Sequence, residues 1–187
     1  APGHAPEVMD AITFIRQALT QAHERLMATL GGLTDADATW RPAPHANTIL
    51  EIAWHVARVD DRLLRRATGL GPELWESQGW SERLGTKDVR ARESYQFLKK
   101  EAAVPPRLDD VRAYLVALHA DTLEKLRGLT PDDLDRVPDP AQPDRNVATQ
   151  LRHMITHKNN HHGQIDFIRG LRHPEWDLAP GTGIVQR

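Results

Sequence analysis

The 187-residue sequence contains no cysteine. Disulfides, thiolate metal ligands and a cysteine nucleophile are therefore excluded, and any metal must be bound by imidazole nitrogen or by oxygen. The sequence also lacks an apolar run approaching the roughly 20 residues that span a bilayer, and it begins without the hydrophobic segment of a signal peptide. We therefore expect a soluble, cytoplasmic protein with no membrane partner.

No strong excess of one charge is present either. The chain has 24 lysines and arginines against 26 aspartates and glutamates, for a formal net charge of -2. The basic pairs Arg65 with Arg66 and Lys99 with Lys100 are isolated and do not form a basic stripe, so we expect no nucleic-acid partner. The length allows one domain with a sizeable core, and we predict that residues 1–187 form a single domain.

Alternating patterns typical of β-strands are almost absent, whereas apolar residues recur at helical spacing in four long segments. These predicted helices cover residues 8–30, about 48–68, about 109–127 and 146–172, with a turn expected at 34–44. A further amphipathic helix is predicted at about 88–101, within the long connection 69–106. The pattern predicts an all-α four-helix bundle with a long crossover, containing an extra helix, between its second and third long helices.

An internal repeat supports this architecture. Offsetting the chain by 96 positions places His23 on His119 and residues 32–34 on 128–130, both of which read Gly-Leu-Thr. The same offset aligns Arg16 with Arg112, Leu19 with Leu115, and Leu30 with Leu126. We interpret the chain as two pseudo-repeated helix pairs, each too small to bury its own apolar face. With a six-residue insertion in the second half, His55 falls opposite His157.

The fourth predicted helix carries histidines in and beside its apolar stripe. His161 falls within the stripe and His157 on its flank, and residues four apart on a helix can direct their side chains to one point. His55 lies at the edge of the buried face of the second helix. Three neutral imidazoles in this arrangement would bind a divalent metal and leave positions open for water or substrate. Because Lys158 follows His157, the general-base glutamate of the H-E-x-x-H motif is missing, and peptidase chemistry is disfavoured.

Two segments resemble a known family. The run HKNNHHGQI (157–165) resembles the H-x-x-x-H-x-G-Q signature of the DinB/YfiT-like metalloenzymes, and IAWHVARVDDR (52–62) resembles their second-helix histidine segment. The resemblance implies a four-helix bundle, a possible homodimer and a divalent metal ion, either zinc, nickel, or iron or manganese, on His55, His157 and His161. His162 stands where the family commonly has arginine.

The same family includes thiol-dependent transferases and isomerases. The resemblance therefore implies a metal-dependent enzyme that acts on a small molecule, either a thiol-dependent S-transferase or a hydrolase, with a low-molecular-weight thiol as a partner. The alternative is a non-catalytic metal-binding or stress-response bundle whose ion holds the helices together. A third hypothesis is a helical interaction domain without metal. No catalytic residue is assigned.

Two residues near the predicted ligands have competing interpretations. Gln164 could orient a ligand or a bound water, or it could be an exposed amide. Glu51 lies one turn before His55 and could be a fourth ligand or a base. Its place three residues after Thr48 is also that of a capping box, which we favour.

Four further polar residues fall on or near apolar faces. His23 and His119 could line the cavity as acid–base groups, although buried histidines of the bundle are the more common arrangement. Asp60 is costly to bury unless it is paired, either beside a metal ligand or with an arginine. Lys158 could extend to solvent or bind an anionic group of a substrate.

Overall fold

The computed structural model describes residues 9–84 and 106–183, and within these ranges every regular secondary-structure element is a helix. Four long helices are present: α1 (Ala11–Leu30), α3 (Ile49–Thr68), α6 (Leu108–Arg127) and α7 (Val147–Arg172). Shorter elements are α2 (Asp35–Thr39), α4 (Leu74–Ser77), α5 (Trp80–Arg83) and a 3-10 helix (Pro131–Asp135). The all-α prediction is confirmed, whereas the helix predicted at 88–101 lies outside the described residues. None of the described helices is long and apolar enough to cross a membrane.

Three of the long helices, α1, α3 and α7, begin after residues whose side chains accept a hydrogen bond from an N–H group of the first turn. Thr48 and Glu51 form the predicted capping box of α3: Glu51 N–H donates to Thr48 Oγ1 at 3.2 Å, and Thr48 N–H donates to Glu51 Oε2 at 2.8 Å. At the start of α7, Thr149 N–H donates to Asn146 Oδ1 at 2.9 Å. Local sequence thus sets where α3 and α7, the two helices with predicted metal ligands, begin.

The segment predicted as a turn at 34–44 contains the short helix α2 instead. Thr34 and Asp37 form another capping box there, because each side chain accepts from the backbone N–H of the other. A proline-free run of five residues after this cap is enough for one helical turn. The prediction of a turn was therefore wrong for residues 35–39.

The four long helices pack so that each contacts the two helices of the other half of the repeat. Helix α3 packs against α7 and α6, and α1 also packs against α7 and α6. Helices of the same half therefore lie across the bundle from one another. This explains why neither half can bury its apolar face alone, and it makes α3 and α7, the two helices with predicted metal ligands, direct neighbours.

A buried ionic network attaches the start of the crossover to the bundle. Arg58 is fully buried, and its Nη2 donates to Glu73 at 2.9 Å while its guanidinium lies 4.2 Å from the ring centre of Trp75. Asp61 accepts from the backbone N–H groups of Leu74 and Trp75 at 3.0 and 2.9 Å. These contacts fix α4 against α3 on the side facing α6.

Candidate metal centre

The structure brings His55, His157 and His161 together between α3 and α7. The distance between His157 Nε2 and His55 Nε2 is 3.0 Å, and the ring centres of His157 and His161 are 4.4 Å apart. One nitrogen from each ring lies within 4.8 Å of the others. In the described part of the chain, this is the one group of three or more histidine, cysteine or acidic side chains close enough to bind a single ion.

The surroundings favour the neutral form of His157 and His161, which is the form that binds a metal. Burial is the main cause that lowers the pKa of His157 to about 3, and the neighbouring His161 and His55 lower it further. Burial also lowers the pKa of His161, against opposing effects of Gln164 and Asp60. His157 Nδ1 has no hydrogen-bond partner in the described residues. The donor set therefore fits a divalent first-row metal.

Gln164 contacts His161, one of the predicted metal ligands. Its Oε1 lies 2.8 Å from His161 Nδ1, one turn along α7. With Nδ1–H donating to this oxygen, Nε2 of His161 keeps its lone pair for a metal. The contact agrees with the orienting role considered for Gln164, although the amide itself is exposed.

Glu51 is engaged away from the histidines. Besides closing the capping box, its carboxylate forms an ion pair with Arg41, whose Nη2 lies 2.8 Å from Glu51 Oε1. Both carboxylate oxygens thus have partners at the start of α3. The structure agrees with the capping interpretation and does not bring Glu51 into the histidine group.

Lys158 is buried in the bundle and neither extends to solvent nor lines the cavity described below. Its Nζ lies 2.8 Å from Asp60 Oδ2, and both side chains are at most 6% exposed. The partner of Asp60 is therefore a lysine, not the arginine that was considered. The negative charge of Asp60 also acts on His161, where it partly offsets the effect of burial on the pKa. The ion pair thus lies directly behind the histidine group.

His23 and His119 are also outside the group. Their rings are stacked, with centres 4.1 Å apart and an angle of 8° between the planes. The pKa of His23 is lowered to about 3 and that of His119 to about 4, in both cases chiefly by burial and next by the charge of Lys158. These residues form a stack in which His23 is buried and His119 is partly buried, close to the more common arrangement considered above.

His162 faces a different helix from its neighbour His161. Its Nε2 lies 2.9 Å from Oγ1 of the buried Thr29 on α1. Adjacent residues of an α-helix project about 100° apart, which is why the two rings diverge. The structure therefore does not include His162 in the candidate site.

A cavity of about 540 Å³ adjoins the histidines. His55 and His157 are part of its wall, and Val59 and Leu63 give it an apolar surface. Four arginines also line it, namely Arg62, Arg66, Arg145 and Arg152. None of these arginines was predicted from the sequence. For Arg62 and Arg66 a signal was present, because they follow His55 by seven and eleven residues along one helix face.

Comparison with known proteins gives a family and similar solved structures. A model of the DinB superfamily matches residues 18–165. A solved structure described as the conserved protein of locus from Enterococcus faecalis is 26% identical, with a TM-score of 0.71, covering 88% of this chain and 98% of that one. Comparison with curated proteins gives no match. Because the family model spans most of the sequence, including all three histidines, the chain belongs to the DinB superfamily.

Proposed function

We propose that this protein is a divalent-metal-dependent enzyme that acts on a small molecule, with His55, His157 and His161 as the metal ligands. One observation carries the proposal: the three imidazoles converge, and two of them, His55 and His157, form part of the wall of a cavity of about 540 Å³. A cavity of this size accommodates a small molecule next to the ion. An ion buried without such access could stabilise the bundle but could not reach a substrate.

The proposed reaction is thiol-dependent S-transfer or, failing that, hydrolysis. A divalent ion bound by three imidazoles has open coordination positions; it would lower the pKa of a bound water toward about 7 and would deprotonate a bound thiol. The chain itself supplies neutral nitrogen ligands, with His161 oriented by Gln164. The apolar surface of Val59 and Leu63 would limit water beside the reacting group.

Elemental analysis tests the metal site. Untagged protein, purified without imidazole or nickel resin, should contain about one equivalent of zinc, nickel, iron or manganese per chain. The variant His161→Ala should lose it. The matched control is His162→Ala, because the neighbouring ring contacts Thr29 instead and its loss should leave the metal content unchanged. Absence of metal in the wild type, even after incubation with each ion, would refute the proposal.

A structural ion is the second candidate, because the three ligands come from two helices and an ion would join α3 to α7. Chelation would then greatly lower the melting temperature, since a ligand bound only by the folded state stabilises it. Cobalt-substituted protein distinguishes a catalytic ion from a structural one. Millimolar cysteine should change its visible spectrum if a thiol reaches the ion, whereas an unchanged spectrum with a large chelation effect would favour the structural role.

A further inference from the structure

The cavity beside the histidines is positively charged. Arg62 and Arg66 reach it from α3, Arg152 from α7, and Arg145 from the segment just before α7. No aspartate or glutamate is among the described residues that line it. In a chain whose formal net charge is -2, this is a local concentration of one sign. Guanidinium groups bind carboxylates and phosphates through paired hydrogen bonds.

Most of this charge is not neutralised by neighbours in the described part of the chain. None of the ion pairs formed there includes Arg66, Arg145 or Arg152, and only Arg62 lies near a carboxylate, at 3.9 Å from Glu73. Arginines elsewhere commonly have acidic partners within 4.0 Å; examples are Arg41, Arg83, Arg112, Arg127 and Arg172. Arg66, Arg145 and Arg152 are thus available to an anion.

The arginines extend away from the histidines along both helices. At a rise of about 1.5 Å per residue, Arg152 is about 8 Å along α7 from His157, and Arg66 is about 16 Å along α3 from His55. Arg66 and Arg145 also line an adjoining cavity of about 410 Å³, in which the carboxylate of Asp139 is bonded to its own loop. The imidazoles therefore lie at one end of an elongated space and the arginines at the other.

Building on the proposed metal-dependent function, we propose that this space binds an elongated small molecule with a metal-binding group, such as a thiol, at one end and an oxyanion at the other. Arg66, Arg145 and Arg152 bind the oxyanion, a carboxylate or phosphate. The metal end sets which group reacts, and the arginines set which molecules bind. The molecule's charge thus acts on binding more than on the chemical step.

Cobalt-loaded protein provides the test, with two probes of equal length, 6-mercaptohexanoate and its neutral counterpart 6-mercaptohexanol. Titration of the thiolate-to-cobalt absorption should show the carboxylate binding at least about tenfold more tightly. The double variant Arg66→Gln with Arg145→Gln should lose this preference but still bind the alcohol. Arg127→Gln is the control, because Arg127 is exposed on α6 and pairs with Glu124. Competition with glutarate or inorganic phosphate distinguishes carboxylate from phosphate recognition.

The outcomes separate this inference from the proposed function. Equal affinity of the two thiols in the wild type, or an unchanged preference in the double variant, overturns the oxyanion site while leaving the metal–thiol chemistry intact. If neither thiol reaches the cobalt, the thiol version of the function fails, and calorimetric titration with glutarate and phosphate tests the arginines alone. Binding lost in the double variant then supports the oxyanion site, and absence of binding to the wild type refutes it.

Discussion

Two histidine clusters lie in the same bundle, and they differ in access and in ring geometry. His55, His157 and His161 are contributed by α3 and α7, and two of them border a cavity. His23 and His119 are contributed by α1 and α6 and stack face to face. In both clusters burial lowers the pKa values for which a shift is resolved.

The difference shows that neutral histidines alone do not make a metal site. The lone pair of an imidazole lies in the plane of its ring, so two rings inclined by only 8° and stacked at 4.1 Å cannot direct lone pairs at one ion. The rings of His157 and His161 are inclined by 73° and can converge. The positive charge of Lys158 also acts on His23 and His119, and would oppose a cation there.

The largest expected effect comes from the buried ion pair of Asp60 and Lys158, whose charges act on both histidine clusters. Asp60→Asn leaves the Lys158 ammonium buried without a counter-charge and should reduce the free energy of unfolding by about 3–5 kcal/mol. Urea denaturation of the metal-free protein measures this. Replacing both residues, as Asn and Met, should recover much of the loss. A double variant as unstable as the single one would contradict this account of the pair.

The next largest effect is expected on metal affinity, which should depend on His157 in the first cluster and not on His119 in the stacked pair. His157→Ala should weaken metal binding by at least about 100-fold, or about 2.7 kcal/mol, because one of three ligands is lost. His119→Ala removes a buried imidazole of similar size and should leave affinity within about threefold. Competition with a chromophoric chelator gives both values. Equal losses in the two variants would show that the comparison between the clusters is mistaken.

A smaller effect on metal affinity is expected from replacing Gln164, which orients His161. Gln164→Ala should lower metal affinity by about tenfold, because the Nδ1–H group loses its acceptor and the ring its fixed orientation. Gln164→Glu keeps an acceptor and serves as the matched control. The same chelator competition applies, and indistinguishable affinities for wild type and Gln164→Ala would remove the orienting role.

The smallest effect, for a change of one pH unit, is the pH dependence of stability that the stacked pair contributes. Their folded pKa values, about 3 and about 4, lie below the ordinary 6.5, so the unfolded chain binds more protons between those limits. Stability should therefore fall as the pH drops from about 6.5 toward 4, by roughly 1 kcal/mol per pH unit for the pair. For metal-free protein, the free energy of unfolding should change less steeply with pH in a His23→Leu, His119→Leu double variant than in the wild type. An identical slope would assign the acid sensitivity to other groups.

Much of the fold could be predicted because its signals are local. The helix period indicated α3 and α7, with Thr48 as the predicted cap of α3, and the structure begins these helices where expected. The spacing of His157 and His161 placed both on one side of α7 for the same reason. The turn predicted over α2 was wrong because its capping box, between Thr34 and Asp37, was not recognised.

The sequence by itself determined the approximate bounds of the long helices, the placing of His157 and His161 on one side of a helix and the near balance of acidic and basic residues, because each depends on residue type and short-range spacing. Only the tertiary structure decided the diagonal arrangement of the two halves. It also decided that Asp60 pairs with Lys158, that His23 stacks on His119, and that scattered arginines meet in one cavity. These contacts join residues far apart in the chain, and helical periodicity indicates which face a side chain occupies but not which helix packs against it.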